Sequence, residues 1–343
     1  MVTLKDIAAA AGVSTMTVSN VLRGKPNVSQ QTAQRVIETA KAMNYQASIR
    51  SMAASSLRRA PDKQRNVMGF AMSDINEPWP AKIAQGALAE ARSMGYDMIL
   101  EETQILEENE RTAVERINDH FYDGLILSHS SMTSAHLDQL ARHRPLVIVD
   151  YTEPQSDVDT VLTDSEEGAY NGIQYLAGRG YRTILVVGAS PDDDPGAYRI
   201  NRVRSLRLAG ALRALNDLGL PHGPSAFLDI DWRHDLARET INHMGRTYVD
   251  EFDAILALNS LLSIGVMRGL RDLGLEVPSD IALMGCSGID ADDYMTPSLT
   301  TVDLAPGAIG HAAVRMLVSR LNGDTSPARQ ITIPHTIRPR ESA

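Results

Sequence analysis

The chain has 343 residues, 43% hydrophobic and 22% charged, enough for a sizeable core and more than one domain usually needs. No run approaches the roughly 18 apolar residues that span a bilayer, and the N-terminus lacks the charged, greasy and small-residue series of a secretory signal. A cytoplasmic protein with no membrane partner is expected. The single cysteine, Cys286, rules out an internal disulfide, and no Cys/His cluster has metal-ligand spacing, so neither a metal nor another cofactor is expected.

The net charge of −10 conceals an asymmetry. Residues 1–65 hold ten Lys/Arg against three acids, a balance of +7, which leaves −17 on the other 278 residues. Cationic side chains on one small module displace counterions from a phosphate backbone, while an acidic body is repelled by it.

Taken in chain order, Thr3 and Asp6 are spaced as a capping box for a short helix carrying Leu4, Ile7 and Ala8. Gly12 supplies a tight turn, and Ser14 opens a second helix, through Leu22, that exposes small polar side chains at its start, as a DNA-reading helix does. Ser29 caps a third helix in which Ala33, Val36, Ile37, Ala40 and Met43 recur at helical spacing. Residues 1–46 therefore read as an all-α helix-turn-helix headpiece. Residues 47–65, rich in Ala, Ser and Arg, read as a hinge. Within it Ser51 to Leu57 is too short to be a stable helix alone.

From Asn66 onward, short apolar runs alternate with segments of helical period, the pattern of parallel strands joined by crossover helices. Strands are expected at 67–72, 97–101, 124–128, 146–150, 183–188, 227–231, 254–258 and 281–285. Helices are expected at about 80–94, 110–120, 166–179, 205–218, 235–244, 262–273 and 306–321. This is too many units for one sheet of ordinary width, so residues 66–343 are expected to form two doubly wound parallel-sheet lobes. The first is placed at about 66–162 and 292–325, the second at about 163–291 and 326–340. Ligands in such lobes sit at the carboxyl ends of strands, which puts Ser73, Asp74, His129, Ser130, Asp150, Tyr151, Asp231, Trp232, Asn259, Ser260 and Ser287 around a cleft.

Several stretches carry a family resemblance: Thr3-Leu4-Lys5-Asp6-Ile7-Ala8, Gly12-Val13-Ser14 with Thr17-Val18-Ser19, Asp74-Ile75-Asn76-Glu77-Pro78-Trp79, Arg207-Leu208-Ala209-Gly210, Val277-Pro278-Ser279-Asp280-Ile281-Ala282 and Pro297-Ser298-Leu299-Thr300-Thr301-Val302. At these intervals, over essentially the whole length, the chain resembles the lactose-repressor (LacI/GalR) family of bacterial transcription regulators. The resemblance implies a homodimer that straddles a near-palindromic operator and a periplasmic-binding-protein-like body that binds a small effector, a sugar or sugar acid. It places Thr15, Met16 and Asn20 at base edges and Ser14, Thr17, Ser19 and Ser29 at phosphates. In the hinge either Met52 or Leu57 would enter the minor groove, with Leu57 preferred, the alternative being that the hinge contributes only spacing. Helix faces at Ile83, Ala87 and Ala91, or at Leu270 and Leu273, could meet a partner copy, though ordinary strand packing explains them equally well.

For the effector, the resemblance aims Arg207 at ligand hydroxyls or carboxylates, gives Asn259 a ligand amide role and makes Trp232 a stacking wall; Asp74, Trp79, His129, Asp150 and Ser287 complete the expected set. Two departures stand out. Ser260 replaces the aspartate usual after the asparagine, and Ser287 replaces an acid, which favours an anionic ligand such as a sugar acid or phosphate. The expected function is therefore a repressor under effector control, with an activator or dual regulator responding to a non-sugar metabolite, or an enzyme on the same body, as alternatives. An enzyme finds little support: the sequence has no phosphate-binding G-x-x-x-x-G-K-[ST] loop, no G-x-S-x-G elbow and no H-E-x-x-H helix.

Overall fold

In the computed structural model the described residues are 4–22, 28–43, 65–104, 106–118, 121–128, 130, 132–141, 145–150, 157–191 and 202–343. The expected cap Thr3, the hinge residues Met52 and Leu57, and the cleft residues His129 and Tyr151 lie outside them. The chain divides at Arg65/Asn66 into two compact units.

The first unit contains α1 (Leu4–Ala11), α2 (Thr15–Leu22) and α3 (Gln30–Ala42). Ile7, Ala8, Ala11, Val18, Val21, Val36 and Ala40 form its core, with Val13, Val28, Ala33, Ile37 and Met43 packed around them. Each fully buried Val or Ile contributes about 1.5–3 kcal/mol, a large share of what so small a module can gather. Gly12 adopts φ +64° between α1 and α2, a left-handed conformation that glycine reaches without the steric cost a Cβ would bring.

The second unit holds two six-stranded sheets. The first contains β1 (Val67–Met72), β2 (Asp97–Glu102), β3 (Gly124–Ser128), β4 (Leu146–Val149), β5 (Asp159–Thr163) and β11 (Gln330–Ile333) in the order β11-β5-β4-β3-β1-β2, all parallel. Helices α4 (Pro78–Ser93) and α11 (Pro306–Leu321) bury their apolar sides on one face, α5 (Glu107–Asn118) and α6 (Ser134–Ala141) on the other. The α4–α11 contact needs two glycines: a Cβ on Gly310 would lie 2.1 Å from the Ile83 carbonyl, and one on Gly86 2.3 Å from that of Gly307. The second sheet runs β12-β10-β9-β8-β6-β7 and comprises β6 (Ile184–Val187), β7 (Phe227–Leu228), β8 (Ala254–Ala257), β9 (Ala282–Ser287), β10 (Thr300–Asp303) and β12 (Thr336–Arg338), with only β10–β12 antiparallel. It is covered by α7 (Ser165–Gly178) and α8 (Arg202–Asp217) on one side and by α9 (His234–Val249) and α10 (Ser260–Asp272) on the other.

The two doubly wound lobes are as expected, but the chain crosses between them at other points. The expected bounds place residues 292–303 in the first lobe and 330–333 in the second. Instead β10 pairs with β9 in the second sheet, and β11 pairs with β5 in the first. Both sheets are built from the same kind of short apolar run, so sheet membership is not encoded in the periodicity of one strand. Strands β5, β10, β11 and β12 and helix α6 were not anticipated, and the expected strand at 227–231 shrinks to two residues. Helix α9 was expected to end at Met244, and Gly245 (φ 75°, ψ 171°) does break the helical path there before it resumes.

Candidate functional site

In the headpiece, helix α2 owes its start to Ser14, whose Oγ accepts the Thr17 backbone N–H at 3.0 Å and lies 2.9 Å from the Thr17 hydroxyl. Ser29 caps α3 in the same way, accepting the Thr32 N–H at 3.3 Å. Both serines therefore fix helix starts, where backbone N–H groups and the helix dipole favour an anion. Along α2 the faces separate cleanly. Val18 and Val21 are buried, Thr17, Ser19 and Asn20 are half-buried, and Thr15 and Met16 face outward. Met16 is 71% exposed, so it does not pack under the headpiece and its thioether is free to meet a base methyl group. Lys5 and Arg35 are exposed cations of the same unit.

The body gathers its polar groups at the strand ends of the second lobe. Arg207 of α8 is only 2% exposed although it carries a charge. Its Nη1 donates to the Leu258 carbonyl at 2.5 Å and the Cys286 carbonyl at 2.9 Å, just beyond β8 and near the end of β9, and its Nε donates to Ser165 Oγ at 3.4 Å. The guanidinium carbon lies 5.1 Å from the ring centre of Trp232 and 5.8 Å from that of Trp79. Trp232 is itself held by an Nε1–H bond to the Gly188 carbonyl at 3.0 Å. Among the described residues no carboxylate lies within ion-pair distance of Arg207. Its buried charge is met by carbonyl dipoles and indole faces, a weak compensation for a group that costs much to desolvate.

Asn259 caps α10 through Oδ1, which accepts the Leu262 N–H at 2.8 Å, and its amide Nδ2 has no partner among the described residues. Ser287, at the end of β9, is buried; its Oγ donates to the Cys286 carbonyl at 2.5 Å and accepts the Ser260 N–H at 3.2 Å. Trp79, Arg207, Trp232, Asn259 and Ser287 are thus linked through the Leu258–Asn259 and Cys286–Ser287 segments. Asp74 and Asp150 each place one carboxylate oxygen on a backbone N–H. Asp74 Oδ1 accepts the Asn76 backbone N–H at 2.7 Å, and Asp150, at φ 55°, accepts the Thr163 N–H at 2.6 Å.

Three contributors escaped the sequence reading. Ser165 follows β5, so recognising that strand would have placed it at a strand end. Glu77 sits beside Asp74, and burial, with help from that neighbouring charge, raises its carboxyl above the usual range. Asp292 is fully buried, its carboxyl pushed up to about 6 chiefly by desolvation; it accepts the Ile289 N–H at 3.1 Å and faces Ser260 Oγ at 3.5 Å. Nothing in its local sequence marks it as interior. Cys286 is also buried, which pushes its thiol pKa up and makes it a poor nucleophile.

Two family profiles match the chain in succession: "Bacterial regulatory proteins, lacI family" over residues 3–48, and "Periplasmic binding protein-like domain" over residues 173–343. The chain thus carries a LacI-family helix-turn-helix domain followed by a periplasmic-binding-protein-like domain. This LacI-family regulator is 27% identical to catabolite control protein A of Priestia megaterium over 345 residues, covering 99% of both chains. It is 27% identical to the HTH-type transcriptional repressor PurR of Vibrio cholerae serotype O1, covering 98% of this chain and 96% of that one. A solved LacI-type transcription regulator from Bifidobacterium animalis subsp. lactis superposes with a TM-score of 0.72 at 26% identity, over 80% of this chain and 99% of the other. The regulator is a DNA-binding transcription factor, and none of its described helices is long and apolar enough to cross a membrane.

Proposed function

We propose that this LacI-family regulator represses transcription as a homodimer on a near-palindromic operator, and that a small anionic effector, a sugar acid or sugar phosphate, bound in the body of each subunit sets its affinity for DNA. The observation that carries the effector class is Arg207, a buried guanidinium with no carboxylate beside it among the described residues. An anion in contact with this group would supply a counter-charge in a site of low dielectric, where a charge-assisted hydrogen bond is strongest. Asn259 Nδ2 offers an additional donor. Ser260 and Ser287 add no negative charge that would oppose an anion.

In the headpiece, Thr15, Met16 and Asn20 supply base-edge contacts, and the capped helix starts at Ser14 and Ser29 engage phosphates. Repression is supported by the relative PurR, whose name describes a repressor. Coupling between effector and operator of about 1–3 kcal/mol corresponds to a change in DNA affinity of about 5- to 150-fold.

The test is a gel-shift titration on duplex from the neighbouring promoter, with and without gluconate, glucose 6-phosphate and glucose. A shift in DNA affinity with an anion and not with glucose is the expected result. A response to glucose alone would overturn the anionic assignment, and salt-insensitive attachment to every duplex would overturn the headpiece reading.

A further inference from the structure

Trp79 and Arg207 belong to different lobes. Trp79 lies in the first turn of α4 and packs against the cores of both lobes, whereas Arg207 and Trp232 belong to the second. One turn further along α4, Lys82 forms an ion pair with Asp290, which follows β9 in the second lobe. Two unrelated interactions therefore tie the first turns of one helix of the first lobe to the second lobe, and the chain's own atoms make both.

We propose that the Trp79–Arg207–Trp232 stack, backed by Lys82–Asp290, is an intramolecular latch that holds the two lobes of the body closed. Arg207 is a fixed element of the latch, because bonds to the Leu258 and Cys286 carbonyls anchor its guanidinium to the second sheet. Trp79 is the moving part. It is half-buried, and opening the lobes carries its indole away from the guanidinium while Trp232 stays in place through Gly188. Where cation–π contacts are removed from water they are at their strongest, so loss of this one should change the closed-to-open ratio by about tenfold or more. The latch is a regulation of the effector site and rests on that reading for its consequence: a ligand that takes a place against Arg207 competes with Trp79 for the guanidinium face. Closure itself involves no ligand.

The chain has only two tryptophans, and both are in the latch. In full-length Trp232→Phe the remaining fluorescence comes from Trp79 alone. Adding Arg207→Met should at least double the acrylamide quenching constant of that indole and move its emission to the red. Adding Lys82→Ala, which removes only the ion pair to the exposed Asp290, should move both in the same direction by a smaller amount. Unchanged quenching in a folded Arg207→Met variant overturns the latch. Should Arg207→Met not fold, the Lys82→Ala arm decides alone, and no change there overturns the proposal. Since no ligand enters either measurement, a negative result leaves the anionic-effector reading standing, and failure of every anion to bind leaves the latch standing.

Discussion

Replacing Ser287 by aspartate, the kind of residue the family resemblance leads one to expect there, tests the electrostatic reasoning directly. Ser287 Oγ and Arg207 Nη1 both donate to the Cys286 carbonyl, at 2.5 Å and 2.9 Å, so the two donors are no more than 5.4 Å apart. A carboxylate at that position would act on the guanidinium with about 332/(20 × 5.4), or about 3 kcal/mol, at an effective dielectric constant near 20. That is about the counter-charge an anionic effector would otherwise provide. Ser287→Asp should therefore weaken binding of gluconate or glucose 6-phosphate by about a hundredfold or more, while glucose gains a hydroxyl acceptor. Isothermal titration of both proteins with the three compounds, alongside a thermal melt to show that the variant is folded, provides the measurement. Equal affinity of wild type and variant for the anion would show that Arg207 is not what holds it, and binding of glucose alone by the wild type would refute the charge argument at its root.

Other consequences concern the headpiece and the packing. Asn20→Ala and Met16→Ala should each cost about 1–3 kcal/mol of discrimination between operator variants in a gel-shift competition, with the salt dependence of binding unchanged, because neither residue carries charge. Gly310→Ala forces a methyl group to within 2.1 Å of the Ile83 carbonyl and should cost about 1–3 kcal/mol in urea unfolding as α4 and α11 are pushed apart. Asp159 is buried against Arg320 (2.7 and 2.8 Å) and Arg329, and although desolvation acts to raise its carboxyl pKa, the Arg320 bonds and the Arg329 backbone N–H outweigh it and bring the net value down. A lowered folded-state pKa gives stability that is present above the unfolded value of about 3.9 and is lost as pH falls through the folded value. Asp159→Asn should accordingly cost about 3 kcal/mol at pH 7 and progressively less as the solution is made strongly acid, as read from urea unfolding at both ends of that range.

The headpiece was legible because its signals are local. Ser14 and Ser29 lie within three residues of the N–H groups they accept, and Gly12 needs its left-handed turn whatever lies around it. The central strands of both sheets were legible for a related reason: runs such as Leu146–Val149 and Ala254–Ala257 are apolar throughout because both faces are covered. Strands β5, β10, β11 and β12 were not, since Asp159–Thr163, Thr300–Asp303, Gln330–Ile333 and Thr336–Arg338 mix threonine and charged or amide residues with few aliphatic ones. Around the candidate site, strand-end logic names Asn259, Ser287 and Trp232, which the structure sets near Arg207, and also Asp74 and Asp150, each of which has one carboxylate oxygen that accepts a backbone N–H. The stacking of Trp79 on Arg207 joins positions 128 residues apart in different lobes, and no local pattern encodes it.

How the lobes are joined decides what a latch can achieve. Among the described residues the chain passes between lobes three times, at Thr163–Ser165, Asp303–Pro306 and Ile333–Thr336. The first and third are tied together, because His335 Nδ1 and Asp164 Oδ2 lie 2.7 Å apart and His335 Nε2 is 3.0 Å from Asn171 Nδ2 on α7. In the second, Asp303 Oδ1 accepts the Ala305 N–H at 2.8 Å and Ala305 stands at φ 51°, so this segment too is locally fixed. Each lobe meanwhile has its own close-packed core. Opening must then be a rotation of two stiff bodies about three short, hydrogen-bonded segments, not a gradual loosening. Under that geometry the two contacts on the first turns of α4, Trp79 with Arg207 and Lys82 with Asp290, act on the first lobe as one body, which is how the proposed latch would hold a whole lobe.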